Sequence, residues 1–280
     1  MASREIDIGF LKELSLIVYQ EISPLIGTEK GAKKLKRGAG GDISMEIDVV
    51  AEKTIIGHLE NNRIEILLIS EETGEKFIGN QKNIEKCKKK LIVDPIDGST
   101  NSSRAIPYFS VSIAYAEGSE LDDIKMAVIL DLTTKDLYWA EKDRGTFLND
   151  KRITVSTKSL SDQLIFEIDF HLWSLRKNLK KYRSILKELY RVRVMGSIAL
   201  SFCLLAKGSI DGYMDFRRGT RLVDMAASYL IIKEAGGHIF TIKGDKLNQT
   251  LSMDLKYPLV ACNAELESFL KKELKKLHSK

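Results

Sequence analysis

The segment Asp94-Pro95-Ile96-Asp97-Gly98-Ser99-Thr100 gathers two carboxylates three residues apart, a proline between them, a glycine and two hydroxyls into seven consecutive positions. Hard divalent cations take oxygen ligands, and Mg2+ in particular is held by a few carboxylates together with water and substrate phosphate. Pro95 stiffens the bend between the carboxylates, and Gly98 permits a tight backbone path. Ser99 and Thr100 offer hydroxyls and N–H groups at what reads as a helix start, where anions are favoured. An isolated DxxDG also occurs as an ordinary Asx-rich turn. The full segment, delivered directly after the apolar run Leu91-Ile92-Val93, favours a meeting point for a cation and a phosphate.

More acids stand at places that suit the same site. The apolar run over residues 63–69 ends in Ser70-Glu71-Glu72, Asp48 lies in a stretch with helical spacing, and Asp224 lies in Leu222-Val223-Asp224-Met225-Ala226-Ala227. Taken singly, each reads as a surface acid. A haloacid-dehalogenase-type phosphatase, in which the first aspartate of DxDxT is the nucleophile, is the competing reading of an aspartate-rich segment after a strand. Here the aspartates are at i and i+3, and that reading leaves the other acids unexplained.

The elements that must position these groups follow from hydrophobic spacing. Residues 5–26 predict an amphipathic helix ended by Gly27, and residues 48–59 a second. Between them, residues 31–41 (GAKKLKRGAGG) are basic and glycine-rich and are expected to form a mobile loop or a disordered connector. Short strands are expected at 63–69, 89–93, 109–116, 125–131 and 136–140, with a hairpin over 145–155. From residue 156 the pattern changes to alternation: strand 164–168, helix 175–189, strand 191–195, helix 196–205, strand 212–216, helix 223–234, strand 237–241 and a terminal helix 265–277. The expectation is an α+β half with a largely antiparallel sheet, residues 1–155, and an α/β half, residues 156–280, that completes the site.

The whole chain sets bounds. Its 280 residues suffice for a sizeable core, and the net charge of +5 comes from scattered lysines, which reads as solvated surface with no nucleic-acid partner expected. Cys87, Cys203 and Cys262 are odd in number and widely spaced, so neither a disulfide framework nor a cysteine metal site is expected. The N-terminus lacks an apolar signal region and no segment reaches membrane-spanning length, so a cytoplasmic protein without a membrane partner is expected. His58, His171, His238 and His278 have no ligand spacing.

Taken in order, Glu71-Glu72, DPIDGST and the Asp224 segment resemble the inositol monophosphatase / fructose-1,6-bisphosphatase superfamily, with its GEE-like pair, DPIDGT and WDxAA-like segment. Asp48, Gly145-Thr146-Phe147-Leu148-Asn149-Asp150 and Glu234-Ala235-Gly236-Gly237 match further family positions, so the likeness covers nearly the whole chain. The stretch from Asp215 to Asp224 is similar to the DxRxxxRxVD arrangement of the archaeal branch, whose members often act on both inositol-1-phosphate and fructose-1,6-bisphosphate. Ser99 replaces the usual threonine and Ser70 the glycine of GEE. The segment 166–173 matches no substrate-pocket pattern.

The resemblance implies a layered αβαβα sandwich and a Mg2+-dependent phosphate monoester hydrolase. It implies that Glu71, Asp94 and the Ile96 carbonyl hold one Mg2+ and Asp94, Asp97 and Asp224 a second, with a third, weaker ion near Glu71 and residues 31–41 as a further option. Asp48 would accept a hydrogen bond from Ser99, whose hydroxyl orients the attacking water; Asp48, Glu71 and Ser99 are thus the implied catalytic residues. Gly98 and Ser99 would bind the substrate phosphate, Gly196 and Ser197 the sugar ring, and Arg217 and Arg221 a second phosphate; surface ion pairing of Arg217, Arg218 and Arg221 is the plainer alternative. A homodimer or higher homo-oligomer is implied. A phosphatase for 3′-phosphoadenosine nucleotides or NADP is the alternative activity, which a pocket aromatic able to stack adenine would favour. A non-catalytic interaction protein is the third reading, which loss of a metal ligand would favour.

Overall fold

The computed structural model of the chain describes residues 4–41, 43–80, 87–217 and 219–279. Asp7 opens the first helix by accepting the Phe10 N–H at 2.7 Å, and α1 (Ile8–Ile22) buries Phe10, Leu11, Leu14 and Val18 on one face. The basic stretch that follows departs from expectation. β1 (Lys34–Arg37) pairs antiparallel with β2 (Ile43–Met45), and the N–H groups of Ala39 and Gly40 donate to the carbonyls of Glu72 and Glu71 at 3.0 and 2.7 Å. Composition conceals this because the ribbon is held by backbone hydrogen bonds, which need no apolar side chain.

α2 (Glu46–Asn61) leads to β3 (Ile66–Ser70), β4 (Gly74–Ile78) and β5 (Lys89–Asp97), then to the single turn α3 (Ser99–Ser103). β6 (Ser110–Glu117), β7 (Ile124–Asp131), β8 (Leu137–Glu141), β9 (Gly145–Leu148) and β10 (Lys151–Ile153) complete an eight-stranded sheet of order β10-β9-β8-β7-β6-β5-β3-β4. Its neighbours are antiparallel except β3 and β5, which run parallel with Ser70 opposite Val93. That parallel pair sends Glu71 and Asp94 off the same edge of the sheet. Alternation along the strands supplies two faces. Leu91, Val93, Val111, Ile113, Val128 and Leu130 pack with α1 and α2, whereas Ile92, Ala114, Ala127 and Ile129 pack on the opposite side.

The second half contains β11 (Leu164–Asp169), α4 (Leu175–Lys181), α5 (Arg183–Leu186), β12 (Leu189–Arg193) and α6 (Ile198–Ala206). It continues through β13 (Gly212–Asp215), α7 (Leu222–Glu234), β14 (His238–Thr241), β15 (Leu259–Cys262) and α8 (Ala264–His278). The five-stranded sheet has order β12-β11-β13-β15-β14, with β11 parallel to β12 and β13, and β15 antiparallel to both its neighbours. The one helix expected over 175–189 is broken at Tyr182, whose buried ring stacks on Phe216 with centroids 4.3 Å apart. Placing that ring in the core overrides helix continuity, since burying an aromatic side chain contributes about 1.5–3 kcal/mol.

α6 and α7 lie between the two sheets, and α7 is buried at every position from Leu222 to Ile232, as a helix covered on both sides must be. α8 lays Leu266, Leu270 and Leu274 against the outer face of the small sheet, beside Val260 and Cys262. The layers α1/α2, large sheet, α6/α7, small sheet and α4/α5/α8 form the expected αβαβα sandwich. No helix among the described residues is long and apolar enough to cross a membrane.

Two glycines make contrasting tests. Gly98 has φ +98°, and a Cβ there would meet Phe109 Cβ and Tyr108 O at 3.1 Å, so Gly98→Ala should lower stability to urea by about 1–3 kcal/mol. Gly57 in α2 has nothing within 4 Å of an added Cβ, so Gly57→Ala should raise stability by about 0.5–1 kcal/mol. Equal responses at the two sites would contradict the backbone reading of Gly98.

Candidate active site

One cleft of about 560 Å3 is lined by Asp48, Glu71, Glu72, Asp94, Asp97, Arg217 and Arg221, together with Ile96, Gly98, Ser99, Thr100 and Gly196. Each acid has its own structural reason to be there. Glu71 leaves the end of β3, and Asp94 and Asp97 ride the last turn of β5, which runs through Asp97 rather than ending at Val93. Asp48 lies in the first turn of α2 and accepts the Met45 N–H at 2.8 Å; Asp224 lies in the first turn of α7 and accepts the Arg221 N–H at 2.7 Å. Asp97 reaches the start of α6, accepting the Ser197 hydroxyl at 2.5 Å and the Ala199 N–H at 2.7 Å. Three helix starts thus face the cluster, where their unpaired N–H groups and positive dipole ends favour negative charge.

Even so, the site holds more carboxylates than it can easily ionise. Burial pushes Asp97 up to about 6, opposed by the hydrogen bond from Ser197, and pushes Asp48 up to about 6 against the Met45 N–H. Burial raises Glu71 to about 7, with Arg221 working against the shift and Asp224 adding to it. Asp94, fully buried and next to Glu71, Asp97 and Asp224, is held well above the carboxylate range. Arg221 supplies the resident positive charge: Nη1 meets Glu71 Oε1 at 2.5 Å and Nη2 meets Asp224 Oδ1 at 2.8 Å. Gly40 makes room for it, since a Cβ there would fall 2.6 Å from Arg221 Nη1.

The donors suit Mg2+. They are all oxygen and come from the ends of β3 and β5 and the start of α7, and beside them one buried carboxylate oxygen of α2, Asp48 Oδ1, has no hydrogen-bond partner. With Arg221 between Glu71 and Asp224, no three acidic side chains among the described residues already converge as a ready cation cage.

The structure gathers Asp48, Glu71, Asp94, Ile96, Asp97, Gly98, Ser99, Gly196 and Arg217 as the sequence predicts, and assigns some of them different partners. Ser99 Oγ donates to the Ile96 carbonyl at 3.0 Å, while lying close enough to Asp48 to favour its ionised form. Ser197 is buried and spent on Asp97, so Gly196 alone of that pair lines the cleft. Arg221 belongs to the acid cluster and Arg217 to the rim, braced by Asp169 at 3.1 Å and Asp215 at 3.2 Å. Arg218 lies outside the described residues. Sequence reasoning assigned no role to Lys34 and Arg37 of β1, which also line the cleft; the run KKLKR was their signal.

A cluster of cation-seeking carboxylates at strand ends and helix starts, beside a glycine turn suited to phosphate, defines a phosphoric monoester hydrolase. The chain belongs to the inositol monophosphatase family, whose sequence pattern matches residues 3–279. It is 36% identical over 256 residues to a fructose-1,6-bisphosphatase/inositol-1-monophosphatase of Methanothermobacter thermautotrophicus, covering 89% of each chain. It is 35% identical over 273 residues to a bifunctional NADP phosphatase/NAD kinase of Methanococcus maripaludis, covering 90% of this chain but 46% of that one. The chain therefore spans about half the length of that bifunctional relative. Among solved structures, the extragenic suppressor protein suhB of Bartonella henselae superposes with TM-score 0.79 at 29% identity, covering 95% of this chain and 97% of that one. An inositol monophosphatase-fructose 1,6 bisphosphatase superposes with TM-score 0.81 at 26% identity, covering 95% and 98%.

A carboxyl whose pKa is higher in the folded chain binds its proton more tightly there, so stability is lost as pH rises through the folded value. For Asp48, Asp97 and Glu71 the window runs from the ordinary 3.8–4.5 to about 6, 6 and 7. Without divalent cations, the unfolding free energy from urea titration should therefore be higher at pH 5 than at pH 8, by about 1.5 kcal/mol each for Asp48 and Asp97 and about 2.5 kcal/mol for Glu71, less than additively. An unfolding free energy that rises over this interval would contradict the assigned burial of these acids.

Proposed function

We propose that this enzyme is a Mg2+-dependent phosphatase of inositol-1-phosphate and fructose-1,6-bisphosphate, using two Mg2+ ions and direct attack by water. The observation that carries this reading is that Glu71, Asp94 and Asp97 line one cleft beside Gly98-Ser99-Thr100, with Asp224 tied to the same cluster through Arg221. Glu71, Asp94 and the Ile96 carbonyl hold one ion, and Asp94, Asp97 and Asp224 the other. When bound, such a pair activates water and stabilises the departing oxygen. The Ile96 carbonyl has a second lone pair beyond the one Ser99 uses.

The chain's own groups do the rest. The first N–H groups of α3 have no helical partner and donate to the ester phosphate at Gly98 and Ser99. The Ser99 hydroxyl orients the attacking water, and Asp48 Oδ1, buried and unpartnered, is the acceptor for the Ser99 proton. Gly196 permits the sugar ring to approach closely. Arg217, whose planar guanidinium suits phosphate oxygens, meets the second phosphate of fructose-1,6-bisphosphate at the rim. Every acid of the implied set is present, which weighs against a non-catalytic binding protein. Phosphate release from NADP or phosphoadenosine phosphate is the second reading, and the rim of the cleft bears on it directly.

Asp94→Asn should abolish phosphate release, by about 10³-fold or more, with the circular dichroism and melting curve retained. The amide oxygen can still accept the Ile96 N–H now bound at 3.1 Å, so the fold keeps its bond. An active Asp94→Asn enzyme would sink the two-ion assignment. Arg217→Ala should cut kcat/KM for fructose-1,6-bisphosphate about tenfold more than for inositol-1-phosphate, consistent with one charge-assisted contact. Equal losses would count against a second-phosphate role.

A further inference from the structure

Glu52 is a buried carboxylate that the reaction as described does not use. It lies in α2 four residues after Asp48, one helical turn on, so the two carboxylates leave the same side of the helix about 6 Å apart along its axis. Both of its oxygens are taken by one residue: Oε1 accepts the Thr73 N–H at 3.1 Å, and Oε2 accepts the Thr73 hydroxyl. Thr73 belongs to the turn 71–73 that joins β3 to β4, and Glu71 opens that turn.

The β1–β2 ribbon holds the same turn. The N–H groups of Gly40 and Ala39 donate to the carbonyls of Glu71 and Glu72, and the Ser44 hydroxyl donates to the Glu72 carboxylate. Those bonds set the path of the turn against the ribbon, and the Glu52 clasp ties it to the body of α2, one turn from Asp48. A carboxylate that grips the main chain and the side chain of a single residue leaves the turn no freedom to slide along the helix. Burying a carboxylate costs free energy that its hydrogen bonds only offset, so an apolar side chain could fill the same space as stably. What the carboxylate adds is a defined position for the turn. Asp48 Oδ1 has no hydrogen-bond partner to fix it and Glu71 stands in a turn, so the spacing between them depends on how turn and helix are joined.

We propose that Glu52 is a positioning residue for the phosphatase reaction: by clasping Thr73 it fixes Glu71, a ligand of one Mg2+, relative to Asp48, the acceptor for the Ser99 proton. This rests on the phosphatase reading of the cleft. The contribution of Glu52 is distance, not charge. Removing a group that orients a metal ligand from behind changes metal affinity or activity by about 10–100-fold.

The test uses the intact chain, freed of divalent cations, with three changes at position 52. Glu52→Gln keeps the clasp without the charge, since its amide oxygen accepts the Thr73 N–H and its amide nitrogen donates to the Thr73 hydroxyl. Glu52→Asp keeps the charge on a stem one methylene shorter, which cannot reach both donors, and Glu52→Ala removes the clasp. Calorimetric titration should show Glu52→Gln within about twofold of wild type and Mg2+ bound about tenfold more weakly by Glu52→Asp and Glu52→Ala. For inositol-1-phosphate at saturating Mg2+, kcat should fall about tenfold in Glu52→Asp and Glu52→Ala and stay near wild type in Glu52→Gln, with KM changing less. Should Glu52→Ala fail to fold, Thr73→Val, at an exposed position, removes the hydroxyl arm alone and should weaken Mg2+ binding about threefold. Loss in Glu52→Gln with retention in Glu52→Asp would make the charge decisive and overturn the proposal. Lower stability to urea in Glu52→Asp and Glu52→Ala, with Mg2+ affinity and kcat of the folded protein unchanged, would overturn it too and leave the phosphatase reading intact. Wild-type protein that neither binds Mg2+ nor releases phosphate overturns that reading, and the proposal with it.

Discussion

Crowding of negative charge is the constraint on which the rest of this structure depends. Asp48, Glu71, Asp94 and Asp97 line one largely buried cleft with Asp224 as a neighbouring charge, and burial and mutual repulsion work against ionisation of the first four. The fold meets that cost from several directions. The single parallel pair in the large sheet, β3 with β5, sets Glu71 beside Asp94. The starts of α2, α6 and α7 supply N–H groups to Asp48, Asp97 and Asp224. Arg221 fills the remaining gap as a guanidinium between Glu71 and Asp224. Breaking a buried pair of this kind by removing one partner typically costs about 3–5 kcal/mol, so Arg221 is a structural ion of the cluster.

Much of this was legible in the sequence because chemistry and periodicity are local signals. DPIDGST announced its carboxylates and glycine turn without any fold, apolar runs placed β5, β6 and β7, and the family resemblance implied the layers around them. What escaped the sequence depends on partners far away along the chain. The β1–β2 ribbon is made by backbone pairing in a glycine- and lysine-rich stretch and is tied down by the carbonyls of Glu71 and Glu72. β4, with polar residues on an edge, and the short β15 carry too little pattern of their own. Ser197 and Arg221 were expected to bind substrate, and only the geometry shows that both serve acids of the cluster. The break at Tyr182 follows from a ring stacked on Phe216, a contact no local pattern encodes.

Two cavities meet at Arg217, the acidic cleft and a smaller one of about 250 Å3. The acidic cleft is lined mainly by carboxylates, hydroxyls, glycines and cationic side chains, groups suited to phosphate, water and cations rather than to one particular alcohol. At the rim, Arg217 is held by Asp169 and Asp215 and lines both cavities. The segment 166–173, which matched no pattern in the sequence, contributes His171 and Trp173 to the smaller cavity that Arg217 also lines.

The central claim is that this acid cluster is a Mg2+ site kept partly protonated until the cation arrives. Calorimetric titration of Mg2+ into the cation-free protein near pH 6.5, repeated in buffers of different ionisation enthalpy, tests it most directly. The account predicts saturable binding with net release of protons to the buffer, because ligand carboxylates must ionise to coordinate. Absence of saturable binding, or binding whose heat is the same in every buffer, would contradict it.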